Sequence, residues 1–219
     1  GVSLKNPRLG FVCTGQTTDG QHGLSGYFLE HDHDLSPDER LRYAPGELPP
    51  PFDEAAAPKL PAADWPEERL AKASRNYAME YVRTSLPRMA ELFGPAETGA
   101  IAGNVARMIG AQSYLATAAG LGVSGNSPLD FARFLVAEAE AEGDSAEITE
   151  DGQTAVVRRF GWRLTRNLPP QHACIFDAWN GLFEGALMVH NRHCVLDVAQ
   201  RLDYGDPCIE WRIRLRPNV

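Results

Sequence analysis

The last strand-like segment of the chain, residues 209–216, alternates apolar and charged side chains without a break. The charged positions hold one glutamate and three arginines, and the apolar positions hold Ile209, Trp211, Ile213 and Leu215. Because successive side chains of a β-strand point to opposite faces, this pattern predicts a strand with one buried face and one solvent-exposed face. The chain must therefore contain a sheet that is covered on one side.

The middle of the chain has helical rather than alternating spacing. Over residues 64–143, apolar residues recur at three- and four-residue intervals, which predicts three helices. We expect Pro87 to kink or end the first helix, because proline lacks the N–H that the helix ladder needs. The second, about residues 98–119, is rich in alanine and glycine, which permits close contact with another helix. The third begins with Ser127 as its N-cap and Pro128 in its first turn.

Strands and a further helix follow. The pair Asp151-Gly152 is a hairpin signal between two short strand-like segments. Residues 173–190 predict an apolar helix, and two strands joined by a turn at residues 204–207 end the chain. Helices followed by antiparallel strands with one embedded helix indicate an α+β fold, with a helical layer packed on an antiparallel sheet.

The first 63 residues differ from the rest in composition. They contain half of the sixteen prolines, three of them consecutive at residues 49–51, and consecutive prolines favour extended backbone. We interpret residues 1–63 as an extended, proline-rich arm and residues 64–219 as the α+β domain. Extended arms often exchange between protomers, so the arm also favours a homodimer.

Length, charge and cysteine content narrow the classes of function. The chain has 219 residues and a formal net charge of −8, whereas nucleic-acid-binding domains are normally basic. No apolar run approaches the ~18 residues that a membrane span requires. Four scattered cysteines without a C-x-x-C pair indicate reduced thiols and a cytoplasmic protein. We therefore expect neither a nucleic-acid nor a membrane partner.

Three residues of the carboxyl-terminal half could carry chemistry together. Cys174 opens the embedded helix, where the helix macrodipole favours a thiolate. Asp197 and Cys208 fall on the polar face of the last two predicted strands. Two thiols and a carboxylate could hold zinc, or could act as nucleophile and acid–base groups. The alternative is that the cysteines simply pack as small apolar side chains.

Two segments resemble known families. Residues 174–185 (CIFDAWNGLFEG) and residues 204–211 (YGDPCIEW) resemble the L-2-amino-thiazoline-4-carboxylic acid hydrolase family and the related ligand-binding domain named after bacteriochlorophyll 4-vinyl reductase. The resemblance covers about residues 150–216. Both families show a helix that begins at a cysteine, followed by a strand and a Gly-Asp-x-x-Cys hairpin.

The resemblance implies two alternative uses of these residues. In sensor members of the vinyl-reductase type, zinc is held by cysteines and an acidic residue; Cys174, Asp197 and Cys208 match three ligands, and Gln200 occupies the place of a fourth, cysteine ligand. In the hydrolases, the same residues imply opening of a small heterocyclic carboxylic acid of the cyclic amidine or thiazoline type. One cysteine would then be the nucleophile, Asp197 the acid–base group and His172 a base.

The remaining candidate side chains are aromatic or cationic. Trp179, Arg158 and Arg212 are candidates for substrate binding, since arginine can hold a carboxylate through two hydrogen bonds. The alternative for the arginines is that they cover a solvated sheet face.

A second possible metal site lies in the arm. His31 and His33 form an H-x-H pair, which places two imidazoles on one side of an extended strand. They could bind a metal, could belong to a polar loop, or could serve as base for Cys174. Three functions thus remain open: a hydrolase, a non-catalytic small-molecule or zinc-binding module, and a structural subunit with an exchanged arm, like the distant trafficking subunits of this fold.

Overall fold

The computed structural model describes residues 6–20, 24–51, 53–55 and 65–217. The chain divides into two compact units, Gly1–Pro61 and Ala62–Val219. The α+β class predicted from the sequence is confirmed, with four long helices and two sheets in the described residues. None of those helices combines the length and the apolar character needed to cross a membrane.

The first unit contains a three-stranded sheet that its proline content does not predict. The strands are β1 (Leu9–Gly15), β2 (Ser25–Glu30) and β3 (Leu41–Tyr43), with β1 in the centre, antiparallel to β2 and parallel to β3. A short 3-10 turn, Pro37–Arg40, precedes β3 and is capped reciprocally by Ser36 and Glu39. The arm is therefore organised locally around strand pairing.

Three helices open the second unit: α1 (Glu67–Phe93), α2 (Pro95–Gly120) and α3 (Pro128–Glu142). The Ser127 hydroxyl caps α3 as predicted, and Gly143 ends it in a left-handed conformation. The prediction that Pro87 could end the first helix is wrong, because α1 continues beyond it to Phe93. Proline removes one ladder hydrogen bond, and the burial of Leu86 in the core holds the surrounding turns.

The second sheet has four antiparallel strands in the order β4-β5-β7-β6. Their bounds are β4 (Ser145–Asp151), β5 (Thr154–Phe160), β6 (Cys194–Gln200) and β7 (Ile209–Leu215). The embedded helix α4 (Cys174–His190) lies between β5 and β6 in sequence. This is the helix-and-antiparallel-sheet arrangement that the sequence predicts.

The core lies between the inner face of the sheet and the helices. On α4, Trp179 contacts the ring of Trp211 from β7, and the Asn180 amide oxygen accepts a hydrogen bond of 2.9 Å from the Trp211 indole N–H. On its other side α4 packs on α2 at backbone distance, since a Cβ added at Gly110 would stand 2.0 Å from the Leu182 carbonyl oxygen. The close helix contact expected from the alanine- and glycine-rich segment is therefore present.

Candidate functional site

Cys174 and His172 lie together at the start of α4. The Cys174 backbone N–H donates a hydrogen bond of 3.1 Å to Nδ1 of His172. Both residues line an open pocket with Asp177 and Arg107, next to the N-terminal end of α2. A thiol, an imidazole, a carboxylate and a guanidinium thus line the same open pocket.

The expected activation of the Cys174 thiol is not present. Burial raises the pKa of Cys174, and the nearby Asp177 carboxylate raises it further. Both effects disfavour a thiolate, and together they outweigh the backbone hydrogen bond at Cys174, which by itself lowers the pKa. The prediction of a lowered pKa is therefore wrong, and Cys174 is a neutral thiol at neutral pH.

Cys208 lies on the opposite, outer face of the sheet. It immediately precedes β7, whose odd-numbered residues Ile209 and Trp211 face the core, so its own side chain points the other way. The Cys208 thiol donates to the Gln200 amide oxygen at 3.1 Å. Burial and the Glu210 carboxylate raise the pKa of Cys208.

Asp197 shares the outer face with Cys208, as expected, but lies farther along the hairpin. It pairs across the strands with Arg212 and forms an ion pair of 3.0 Å with Arg214. Four residues of strand, about 13 Å at roughly 3.3 Å per residue, separate the position of Arg212 from that of Cys208. The structure does not gather the three predicted residues, because the sheet lies between Cys174 and the other two and the hairpin holds those two apart.

The residues present do not fit the zinc site that the resemblance implies. Cys208 contacts Gln200, whose amide is a poor zinc ligand, and Asp197 is engaged by Arg214. Within the described ranges, no three His, Cys, Asp or Glu side chains gather closely enough to hold a metal.

The H-x-H pair belongs to the first unit. The rings of His31 and His33 are 5.6 Å apart, centre to centre, so the two imidazoles are neighbours as predicted. Nδ1 of His33 lies 2.8 Å from a carboxylate oxygen of Asp32, and this hydrogen bond raises the pKa of His33. His33 is thus engaged by a carboxylate of its own segment, and within the described residues no third His, Cys, Asp or Glu side chain joins the pair to form a metal site.

The two candidate substrate arginines bind a carboxylate of the protein itself. Glu210 is buried on the outer face of the sheet and forms ion pairs with Arg158 at 2.8 Å and with Arg212 at 2.9 Å. Burial alone would raise the pKa of Glu210, but the hydrogen bonds from Arg212 and Arg158 outweigh it and hold the pKa below its usual value. These arginines therefore stabilise Glu210, and they lie on the sheet face opposite Trp179.

Trp179 lines a cavity of about 260 Å³ between α1, α2 and α4. Its walls are almost entirely aliphatic and aromatic. The polar groups among the lining side chains are the Ser85 hydroxyl, the Tyr81 hydroxyl and the Trp179 indole N–H. The other lining residues are Val82, Leu86, Met89, Ile101, Ala102, Val105, Ala106, Ile109, Ala178 and Leu182. Local sequence patterns do not predict this cavity, although the scarcity of charged residues in α2 is a signal that points to an apolar surface.

A buried ionic cluster lies at the other side of Trp179. The Arg159 guanidinium, 5.2 Å from the centre of the Trp179 ring, is fully buried and pairs with Glu142 and with Asp144. Asp144 also accepts hydrogen bonds from the backbone N–H of Arg163 and from Arg166. The sequence analysis does not predict this cluster, because Arg159 is a charged residue that β5 turns toward the core on the same face as Val157.

Comparison with known proteins supports the fold. No protein-family model and no curated protein matches the chain. Among solved structures, the chain is similar to a trafficking protein particle complex subunit 3 from Naegleria fowleri, covalently bound to palmitic acid. The TM-score is 0.51 at 15% identity, over 66% of this chain and 96% of that one. At this identity the similarity shows a shared fold.

Proposed function

We propose that the protein is a non-catalytic binding module that holds an acyl chain, or an apolar ligand of similar size, in the cavity between α1, α2 and α4. The observation that carries this proposal is the cavity itself, about 260 Å³ with apolar walls. Ligand pockets are typically lined by apolar and aromatic side chains with few polar groups. Three helices contribute to this lining, and none of the residues in it carries a charge.

The size of the cavity limits the ligand. An apolar cavity of about 150 Å³ binds benzene, so this one has room for roughly ten carbons. At about 0.8 kcal/mol for each buried methylene, ten carbons supply on the order of 8 kcal/mol before the cost of association. We therefore expect a dissociation constant no tighter than the micromolar range for a medium-length chain.

The structural neighbour supports the ligand class but not the mode of attachment. That protein holds palmitic acid through a covalent bond, whereas none of the residues lining the present cavity is a cysteine. Cys174 lines a different pocket, in which it packs beside Gly99 of α2. We propose non-covalent binding of the chain.

A cavity-filling variant tests this function. Ala102→Phe places an aromatic ring in the cavity, and Ala116→Phe makes the same change at an exposed site of α2 outside it. We expect decanol and decanoic acid to bind both the wild type and Ala116→Phe, with the binding heat measured by calorimetry. The fluorescence of Trp179 should change when either ligand binds. Binding to Ala102→Phe should be lost. Equal binding to both variants, or no binding to the wild type, would reject the proposal.

The second candidate is the hydrolase implied by the family resemblance. The pocket that joins Cys174, His172, Asp177 and Arg107 favours it. In this version the His172 imidazole accepts the thiol proton and Arg107 binds the carboxylate of a small heterocyclic acid. The neutral state of the Cys174 thiol means that such a base is required.

Two measurements distinguish the hydrolase from the binding module. Turnover of a thiazoline carboxylate that disappears in Cys174→Ser and persists in Cys208→Ser would establish the hydrolase. If the wild type does not hydrolyse the thiazoline carboxylate faster than the uncatalysed rate, the hydrolase is rejected and the binding module is the remaining candidate. Elemental analysis of the purified protein tests the zinc version separately.

The compartment and the oligomeric state are further proposals. All four cysteines are free, which supports a reducing compartment such as the cytoplasm. A homodimer is supported by the exposed apolar side chains of α1 and α2.

A further inference from the structure

Helices α1 and α2 present an apolar surface to solvent around the mouth of the cavity. We call it the outer face. A typical globular surface does not cluster large apolar side chains in this way. The members are 46–77% exposed, namely Tyr81, Ile101, Val105, Met108, Ile109 and Leu115. Four of them, Tyr81, Ile101, Val105 and Ile109, also line the cavity. The outer face and the cavity mouth are therefore one surface.

The α2 members follow a helical stripe. Ile101, Val105, Met108 and Leu115 are spaced by four, three and seven residues, which places them on one side of the helix. The opposite side of α2 carries Gly103 and Gly110, which pack on α4. The stripe thus lies on the side of α2 away from the α4 contact. Met108 and Leu115 do not line the cavity, so the cavity gives no reason for their apolar character.

Charge is almost absent from this helix. In the 26 residues of α2 the charged side chains are Glu97 and Arg107, and Arg107 is paired with Glu184 at 2.6 Å. On α1, Arg88 is paired locally with Glu91. A surface helix in contact with water usually carries many more charges on its outer side.

The area of the outer face matches what a stable dimer needs. At about 200 Å² for a fully exposed large side chain, six side chains that are about three-fifths exposed present roughly 700 Å² of surface. A stable protein–protein interface takes about 800 Å² from each partner. The outer face with its immediate border is therefore large enough for a specific interface.

We propose that a second copy of this chain covers the outer face and closes the mouth of the cavity. A two-fold interface brings each residue against the same surface of the partner, so a charged stripe would meet its own charge. An apolar stripe with internally paired charges on its border avoids that repulsion and is complementary to itself. The dimer contact then seals the ligand, which links ligand affinity to dimerisation by mass action.

This inference rests on the proposed function only for the ligand; the dimer contact stands independently of it. The test uses the full chain and the double variant Met108→Glu/Leu115→Glu. Neither residue lines the cavity, and both are more than half exposed, so the folded monomer should tolerate them. Met188→Glu on α4 is the matched control, since Met188 is 66% exposed outside the outer face.

Sedimentation and light scattering without ligand give the first result. We expect a dimer for the wild type and for Met188→Glu, and a monomer for the double variant, because burying two glutamates in an apolar contact weakens association by on the order of 100-fold or more. A monomeric wild type, including one that sediments with phosphatidylcholine vesicles instead, would overturn the proposal. So would a double variant that remains dimeric.

Decanol binding gives the second result. The double variant should bind decanol on the order of ten-fold more weakly than the Met188→Glu control, because its cavity mouth stays open to water. Equal affinity in a monomeric double variant would overturn the closure of the cavity. If no decanol binds to any variant while the double variant is monomeric, the proposed function fails and the dimer interface stands.

Discussion

Gly185 of α4 packs directly against the backbone of Arg107 in α2. A Cβ added at Gly185 would stand 2.0 Å from the Arg107 carbonyl oxygen, and its neighbour Glu184 forms an ion pair with the Arg107 side chain. This contact lets the two helices cross at backbone distance. It therefore fixes the position of Arg107, which lines the Cys174 pocket, relative to α4.

Gly185→Ala should destabilise the protein. Alanine is about 1 kcal/mol better than glycine inside a helix, but the added methyl must push two backbones apart, which costs about 1–3 kcal/mol or more. We expect a net loss of stability in denaturant unfolding. Gly120→Ala, where no atom lies within 4 Å of the new Cβ, should be neutral or slightly stabilising. A Gly185→Ala variant as stable as the wild type would contradict the backbone contact.

Asp144→Asn should cost more than the same change at an exposed ion pair. The Asp144 carboxylate is buried against the fully buried Arg159, and removing its charge leaves the guanidinium without one of its counter-charges. Breaking a buried pair typically costs about 3–5 kcal/mol. Asp197→Asn breaks the half-exposed pair with Arg214 and should cost at most about 1 kcal/mol. Equal losses in urea unfolding would show that the Asp144 cluster is not desolvated.

Cys174 and Cys208 should react slowly with thiol reagents in the folded protein. Burial raises the pKa of both thiols, and the thiolate is the reactive form. At pH 8 we expect alkylation, mapped by mass spectrometry of the peptides, to accelerate by on the order of ten-fold or more on unfolding in urea. The folded-state rate should also rise as the pH is increased through the raised pKa. Alkylation of Cys174 at the rate of a free thiol would instead favour the hydrolase.

Glu138→Gln should alter the pH dependence of stability. Glu138 lines a small second cavity beside Glu142, and burial together with the Glu142 charge raises its pKa in the folded protein. The folded state therefore holds this proton more tightly, so the contribution of Glu138 to stability is present in acid and is lost as the pH rises through the raised pKa. Glutamine carries no charge at any pH.

The melting temperature of Glu138→Gln, relative to wild type, should consequently increase between acid and neutral pH. The exposed neighbour Glu140 provides the matched control Glu140→Gln, which should show no such trend. A Glu138→Gln variant that runs parallel to the wild type over this range would show that the Glu138 carboxyl is well solvated.

Local patterns in the sequence were sufficient for the elements of the second unit. The alternation around Trp211 predicts β7, and the Ser127-Pro128 start with Gly143 predicts α3, because hydrogen-bond geometry and side-chain periodicity act over a few residues. The first unit was predicted less well. Its sheet forms because β1 pairs with two short strands, one antiparallel and one parallel. The prolines that suggest an extended arm come mostly after β3 in the sequence.

The sequence predicts the local position of each candidate site residue, but not which of these residues lie close together in space. The sequence placed Asp197 and Cys208 correctly on a shared polar strand face and Cys174 at the start of a helix. Only the tertiary structure decided that the sheet separates Cys174 from the other two, and that burial beside Asp177 raises the pKa of its thiol instead of lowering it. Both outcomes depend on which face of the sheet α4 covers, which periodicity within single segments cannot specify.

For the cavity and the outer face, too, the sequence determines the character of a helix but not its surroundings. The sequence by itself determined that α2 is a long, nearly uncharged helix rich in glycine and alanine. It could not determine which side of that helix meets α4, which side borders the cavity with Trp179 and which side faces solvent. Those assignments follow from the packing of three helices around Gly110 and Gly185, and the physical reason is that burial is a property of the assembled layers and not of any one segment.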